Sequence, residues 1–326
     1  MKKPGVIAAV VAMVGAALIF FHLPWEEAPS GLQRSRPEVL TGEQVIVRWH
    51  DKAPFRKRRG VALVLHGLNL QPEKMESVIS LLNRAGIDAL NVSLRGHGEN
   101  YLHRTDKDPE ETRLDSFRTV TYPLWYSEVR RSYLKVRERA RQKKTCVFLI
   151  GYSLGGLLGC DLLISDPVVR FDRMVLLAPA LNVTVESYLL KALMPFPGIV
   201  IDSLSPASYR SNDGTPMAGY KALFEALDHF KRHLNPALNV PTLVLMDRED
   251  EFISHDAIRE MIGSRRLNLW KMTTVRKMPH PDYPYARHLI IDEASMGKTA
   301  WREMGEAILG HLVPSAQGRA SAPFSK

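Results

Sequence analysis

The run Gly151-Tyr152-Ser153-Leu154-Gly155-Gly156 carries the clearest chemical signal in the chain. It matches the G-x-S-x-G pattern, in which a serine sits on a sharp strand-to-helix turn with its hydroxyl presented for nucleophilic attack. The flanking glycines are needed because a Cβ would clash in so tight a turn. An apolar strand, Val147-Phe148-Leu149-Ile150, leads in, and a helix-compatible run, Leu157 to Leu163, leads out. A second signal is His66-Gly67, directly after the apolar run Val61 to Leu65. Acyl transfer needs two backbone N–H donors aimed at the oxygen on which negative charge develops. The residue after the nucleophile, Leu154, supplies one donor. The loop after the earlier strand supplies the other, with Leu68 as the candidate. Asn69 stands beside it as a candidate side-chain donor.

A serine nucleophile needs a base, and the base needs an orienting acid. Pro241 to Met246 reads as a strand, followed by Asp247, Arg248, Glu249, Asp250 and Glu251. Asp250 is the preferred acid, because it lies in the loop with Phe252-Ile253 behind it to pack the turn. Asp247, which closes the strand, is the alternative, and the other acids read as a solvated face. Two histidines follow on a loop before the last helix. His280 lies in the rigid Pro279-His280-Pro281, and His288 precedes Leu289-Ile290-Ile291. His288 is the preferred base and His280 the alternative. The chain order Ser153, Asp250, His288 differs from the other two common triad orders.

The elements that must position these residues follow a βα rhythm from about Glu43. Val45-Ile46-Val47 starts it as a short strand. Val61–Leu65, Ile87–Leu94, Cys146–Ile150, Met174–Ala178, Thr242–Met246 and Leu269–Val275 read as further strands. Continuous apolar runs of this length suit strands buried on both faces of a parallel sheet. Helical spacing recurs over Met75 to Leu82, over Trp125, Val129, Tyr133, Val136 and Ala140, near Ala257–Ile262, and over a closing helix near Ala294–Leu312. A long polar loop spans Arg95 to about Val120. The pattern predicts an α/β fold with a mostly parallel central sheet and helices on both faces. Residues 182–239 interrupt the rhythm with helical patterns and no good strand, and read as a helical cap insertion. Its Leu189, Leu190, Leu193, Met194, Phe196 and Ile199 suggest an apolar acyl pocket.

These pieces together resemble the serine α/β-hydrolases of the monoacylglycerol lipase, lysophospholipase and carboxylesterase group. The resemblance rests on Val64-Leu65-His66-Gly67, Leu94-Arg95-Gly96-His97-Gly98, the serine motif, Asp250-Glu251-Phe252-Ile253, and Arg287-His288-Leu289-Ile290-Ile291-Asp292. It spans roughly Gln44 to Leu312. It implies the α/β-hydrolase fold, a cap over the site between 182 and 239, and Asp250 rather than Asp247 as the acid. The expected activity is ester hydrolysis through an acyl-enzyme, on lipid-derived or other apolar acyl esters, with no cofactor and no metal. An acyltransferase or thioesterase using the same residues, and an inactive hydrolase-like binding domain, are the alternatives.

Gly5 to Phe21 contains no charged residue and follows Lys2 and Lys3. As a helix it reaches about 26 Å, close to the ~30 Å hydrocarbon core of a bilayer. The expected organisation is an N-terminal membrane anchor over 1–24, with a cleaved signal peptide as the alternative, and a linker over 25–42. The hydrolase domain follows over 43–313, and a disordered tail over 314–326. Lys2 and Lys3 against Glu26 and Glu27 place the N-terminus in the cytoplasm and the domain on the extracytoplasmic side; in the signal-peptide alternative the domain is secreted.

Composition bounds these readings. The chain has 326 residues, 45% hydrophobic and 24% charged, which excludes wholesale disorder and a polytopic membrane protein. Two cysteines exclude a disulfide scaffold. Cys146 and Cys160 flank Ser153, one along a strand of about 23 Å and one along a helix of about 10 Å, too far apart to bridge. Both are expected as buried free thiols. Lys and Arg number 44 against 35 Asp and Glu, a net charge of +9. No recognition motif or stacking platform for nucleic acid accompanies that charge. Arg56-Lys57-Arg58-Arg59 is expected in a hairpin, as a solvated turn or as a contact with anionic lipid headgroups. Asn91 and Asn182 head Asn-x-Ser/Thr patterns, but Asn91 falls inside a buried strand. His97, His103 and Asp106 fit no zinc spacing, and are expected in a loop packed against the site.

Overall fold

The inner parallel strands form because their sequences are largely apolar on both faces. β2, Gly60–Leu65, is GVALVL and is buried along its whole length, as is β3, Ile87–Ser93. The computed structural model describes residues 46–184, 186–196, 198–277 and 286–314. The expected anchor, the linker, His280 and all but the first residue of the expected tail therefore lie outside the described residues.

Among the described residues, seven strands form one sheet in the order β1-β3-β2-β4-β5-β8-β9. β4 is Cys146–Tyr152, β5 is Arg173–Leu177, β8 is Thr242–Met246 and β9 is Trp270–Thr274. These pair in parallel with their neighbours, whereas β1, Ile46–His50, runs antiparallel to β3 at the edge. The mixed, mostly parallel sheet is that of the α/β-hydrolase fold. Because β2 pairs with β3 and β4 rather than with β1, residues 51–59 form a crossover and not the expected hairpin. Within it Arg58 is tied down, its Nε donating to the buried Asp88 at 2.8 Å, while Arg56, Lys57 and Arg59 are exposed.

Helices cover both faces. α1, Glu76–Arg84, packs on β3, and α2 is Pro109–Arg118. α3, Tyr122–Lys143, packs on β2, β3 and β4, and α4, Leu154–Ser165, lies beside it on the same face. α4 is buried from Leu154 to Ile164, which explains a sequence without a polar stripe. It is covered by the sheet, by α3 and by α5, Met217–His233. Burying each of Leu157, Leu158 and Leu162 contributes roughly 1.5–3 kcal/mol. α6 is His255–Ser264. Gly297, at φ 83°, then divides the expected single closing helix into α7, Glu293–Met296, and α8, Lys298–Leu312.

Three expectations are corrected. The polar loop after β3 contains α2, which has no apolar stripe. It starts on a strong local signal, the Asp108 carboxylate accepting from the Glu111 amide at 2.9 Å with Pro109 in the first turn. The insertion between β5 and β8 is not purely helical. It holds a 3₁₀ segment, Glu186–Leu193, then an antiparallel pair, β6 Val200–Asp202 with β7 Gly214–Pro216, before α5. Short three-residue strands leave no alternating pattern to read, and α5 belongs to the covering layer on α4 rather than to a cap. Finally, Cys146 is exposed because it opens β4 at the loop end, whereas Cys160 is buried in α4; both are free.

Candidate active site

Ser153 stands between β4 and α4 at φ 50° and ψ −114°. A non-glycine residue at positive φ costs free energy, so the turn must be imposed from outside. The Ser153 amide donates to the Leu177 carbonyl at 2.9 Å. Its carbonyl accepts from the amides of Gly156, Leu157 and Ala180. The surrounding glycines leave no alternative packing. A Cβ on Gly155 would lie 2.4 Å from the Leu65 carbonyl oxygen, and one on Gly151 would lie 2.6 Å from Gly156 Cα.

The His288 imidazole joins Ser153 to Asp250. Its Nε2 is 2.9 Å from Ser153 Oγ and its Nδ1 is 2.8 Å from Asp250 Oδ2. The carboxylate only accepts, so Nδ1 carries the proton and Nε2 faces the serine hydroxyl as a base. Asp250 is fixed in turn, its Oδ1 accepting from the amides of Phe252 and Ile253 at 2.9 Å each. Burial works against a charged His288. The Asp250 carboxylate, by charge and hydrogen bond, together with Glu251, outweighs that and raises the imidazole above its usual range. Tyr152 and Phe252 flank the ring, with centroids at 5.2 and 5.4 Å.

The other candidates separate cleanly. Asp247 does not reach the imidazole. Its Oδ1 accepts from the Glu249 amide at 2.8 Å and its Oδ2 lies 3.4 Å from Arg287 Nη1. The Leu68 and Leu154 amides donate to no protein acceptor among the described residues. The Leu68 loop lies beside the serine, for a Cβ on Gly67 would meet the Tyr152 ring at 2.7 Å and Ser153 Cβ at 3.2 Å. The Leu154 amide also sits at the N-terminus of α4, where the helix dipole favours negative charge. The Asn69 side chain is not available as a donor there. It gives its Nδ2 to the Asn212 carbonyl at 2.8 Å and accepts the Asn212 amide at 2.9 Å.

Two histidines shape the site without joining it. His66 and His97 are fully buried, with ring centroids 4.7 Å apart. His66 Nε2 accepts from the Leu94 amide at 3.1 Å, and His97 Nε2 from the Asn69 amide at 2.9 Å. Burial lowers both, His66 to about 4, so each stays a neutral acceptor. His97 therefore packs against the site as a loop clamp, while His103 packs at a tilt on Tyr101 and Asp106 pairs with Arg104.

Sequence reasoning missed Glu251 and Lys277. Glu251 accepts the amides of Arg287 and His288, and Lys277 donates to carbonyls of the same stretch. Glu251 looks like one more acid of a charged run, and its partners lie far away in the chain. No local signal marks it. In the insertion, Leu190 and Met194 pack on the core and Phe196 is 42% exposed; the Leu189 side chain lies outside the described residues. Among the described residues no helix is long and apolar enough to cross a membrane.

The family model described as serine aminopeptidase, S33, matches residues 56–218, which hold the serine motif and the His66-Gly67 loop. No curated protein matches the chain. A soluble variant of the Saccharomyces cerevisiae monoglyceride lipase, solved with a substrate analog, superposes with a TM-score of 0.66 at 13% identity, covering 88% of this chain and 98% of that one. The structure reported with LipS and LipT, two metagenome-derived lipolytic enzymes, gives 0.61 at 19% identity, covering 81% and 96%. The Paleococcus ferrophilus monoacylglycerol lipase gives 0.53 at 15% identity, covering 82% and 99%. At these identities the likeness is one of fold.

Proposed function

The chain belongs to the serine aminopeptidase S33 family, and from that premise we propose that it is a serine ester hydrolase acting through an acyl-enzyme on lipid-derived or other apolar acyl esters. The observation that carries the reading is the His288 bridge, 2.9 Å to Ser153 and 2.8 Å to Asp250. Ser153 Oγ attacks the acyl carbonyl carbon while His288 Nε2 takes the hydroxyl proton. The Leu68 and Leu154 amides stabilise the oxyanion of the tetrahedral intermediate. The intermediate collapses, the bond to the alkoxy oxygen breaks, and His288 returns the proton to the departing alcohol. Water then repeats the sequence on the acyl-Ser153 ester and releases the acid. Asp250 fixes the imidazole tautomer and stabilises the imidazolium, and no step calls for a cofactor.

The preference for esters over amides is supported by the lipolytic enzymes among its structural neighbours. The apolar composition of Leu189, Leu190, Leu193, Met194, Phe196 and Ile199 in the sequence supports an apolar acyl group. The uncharged Gly5–Phe21 stretch supports a retained membrane anchor with the catalytic domain on the extracytoplasmic side.

Fluorophosphonate labelling of the full chain, read by peptide mass spectrometry, tests the reading. Label is expected on Ser153, lost in Ser153→Ala and His288→Ala and retained in His280→Ala. A p-nitrophenyl ester series then gives the acyl preference, and an aminoacyl anilide is run beside it. A folded chain that takes no label, or one that cleaves the anilide better than every ester, overturns the proposal.

A further inference from the structure

His288 sits in an irregular stretch, with no helix or strand of its own to hold it. Side chains from distant elements hold its peptide groups instead. Glu251 accepts the amides of Arg287 and His288 at 3.0 and 2.9 Å, one on each carboxylate oxygen. The Tyr152 hydroxyl donates to the His288 carbonyl at 3.3 Å. Lys277 donates from one ammonium group to the carbonyls of Ala286, of Leu289 at 3.0 Å and of Ser295 at 3.1 Å.

Lys277 is only 5% exposed. A buried ammonium is costly unless each of its three protons finds an acceptor, and here three carbonyls take them. Well-packed apolar residues often stabilise a core as well as a buried charge does. What an apolar side chain cannot do is hold carbonyls on both sides of a histidine. A base must be held within about 0.5 Å of its productive position, so such bonds bear directly on rate.

We infer that Lys277 and Glu251 are positioning residues for His288: the anion holds its amide and that of Arg287, the cation holds the flanking carbonyls, and together they aim the imidazole from Asp250 to Ser153. The inference rests on the catalytic reading above.

The two charges also act on His288 in opposite senses. Glu251 favours the imidazolium and Lys277 opposes it. Among the described residues, the other charged groups facing this cluster are Asp250, on the imidazole itself, and Arg287, which lies 3.4 Å from Asp247 and 3.5 Å from Glu249. Burial pushes the Lys277 ammonium down, while Glu251, Asp247 and Asp250 pull it up and Arg287 pushes it further down. Burial pushes Glu251 up, with Asp250 adding to that effect. The cradle therefore sets two opposite charges beside the base, and their effects on it partly cancel.

The test is kcat/KM against pH on p-nitrophenyl butyrate, with the full chain and the variants Lys277→Met, Lys277→Arg and Glu251→Gln. Thermal unfolding and fluorophosphonate labelling accompany each. Losing the cation is expected to raise the pH of the acid limb and losing the anion to lower it, each by about half a pH unit or more. Both are expected to lower kcat by about tenfold or more with KM little changed. Lys277→Arg keeps the charge, and its acid limb stays close to that of the wild type. Folded variants whose limbs move the same way, or do not move, overturn the inference. If Lys277→Met does not fold, Glu251→Gln decides alone: a kcat lower by about tenfold or more together with a lowered limb supports the inference, and an unchanged kcat or an unmoved limb overturns it. A wild-type chain that neither labels at Ser153 nor turns over ester sinks the catalytic reading, and this inference with it.

Discussion

Asn69 and Asn212 bond to each other through both backbone and side chain, and so tie the loop after β2 to the insertion. Asn69 Nδ2 donates to the Asn212 carbonyl at 2.8 Å, and Asn69 Oδ1 accepts the Asn212 amide at 2.9 Å and its Nδ2 at 3.2 Å. Asn69 sits at φ 53°, a conformation that asparagine tolerates better than most residues. Replacing it with Ala removes three buried bonds and adds left-handed strain. Asn69→Ala is expected to cost about 2–4 kcal/mol in unfolding free energy. Asn69→Gly loses the same bonds without the strain, and is expected to cost about 1 kcal/mol less. Denaturant midpoints measure both, and two variants within experimental error of the wild type would show that the link is not structural.

The choice between the two carboxylates after β8 is equally open to a direct comparison. Asp250 touches the imidazole at 2.8 Å, whereas Asp247 bonds the Glu249 amide and faces Arg287. Asp250→Asn puts the imidazole in the wrong tautomer, and is expected to lower kcat by about 10³–10⁴-fold. Asp247→Asn removes one partly exposed ion pair, and is expected to stay within about tenfold of the wild type. Steady-state kinetics on one ester decides. Equal losses in the two variants would mean that Asp247 has a share in the catalytic arrangement.

Much of this site is legible in the sequence because its chemistry is local. The serine turn needs glycines at fixed offsets from Ser153, and the apolar strand before it is continuous, so both are visible in one window. Asp250 is legible for a related reason, since its loop is closed by its own neighbours, the Phe252 and Ile253 amides. The rest depends on contacts between segments distant in sequence. Glu251 lies 36 and 37 residues from the amides it holds. Asn69 lies 143 residues from Asn212. α2 is hidden because its capping residues, rather than an apolar stripe, start it, and β6 and β7 are too short to show a period of two. The exposure of Cys146 is hidden because burial falls away over the first residues of β4, from Phe148 through Val147 to Cys146, inside one apolar run.

The pH dependence of the reaction follows from the imidazole. Burial alone would lower His288, but Asp250 and Glu251 raise it above 6.5. In the proposed mechanism His288 acts as a neutral base, so kcat/KM is expected to climb with pH along an acid limb that lies above 6.5. The stability effect has the opposite sense. A histidine whose folded-state value is raised contributes stability that is fully present below pH 6.5, and loses it as pH rises through the folded-state value. His288→Ala is therefore expected to destabilise the chain more at pH 6 than at pH 9. A rate profile with its acid limb at or below 6.5 would contradict the assignment of His288 as the titrating group.

The buried pair His66 and His97 has the reverse sign. Burial holds His66 at about 4, and His97 is lowered by burial and by the neighbouring His66. Each must stay neutral to accept a backbone amide, from Leu94 at 3.1 Å and from Asn69 at 2.9 Å. The unfolded chain binds protons on both groups from about pH 6.5 downward, while the folded chain resists them. Stability from His66 is thus complete above 6.5 and is lost as pH falls toward about 4, a loss of about 3 kcal/mol for this group alone. Carboxylates titrate in the same range, so the difference between chains is the informative quantity. His66→Gln leaves a carbonyl oxygen able to accept the Leu94 amide and removes the titrating ring. It is expected to be less stable than the wild type at pH 7, and to lose less on going to pH 4.5, by about 2 kcal/mol or more in urea unfolding. Parallel curves for the two chains would mean that His66 takes up its proton without leaving the folded state.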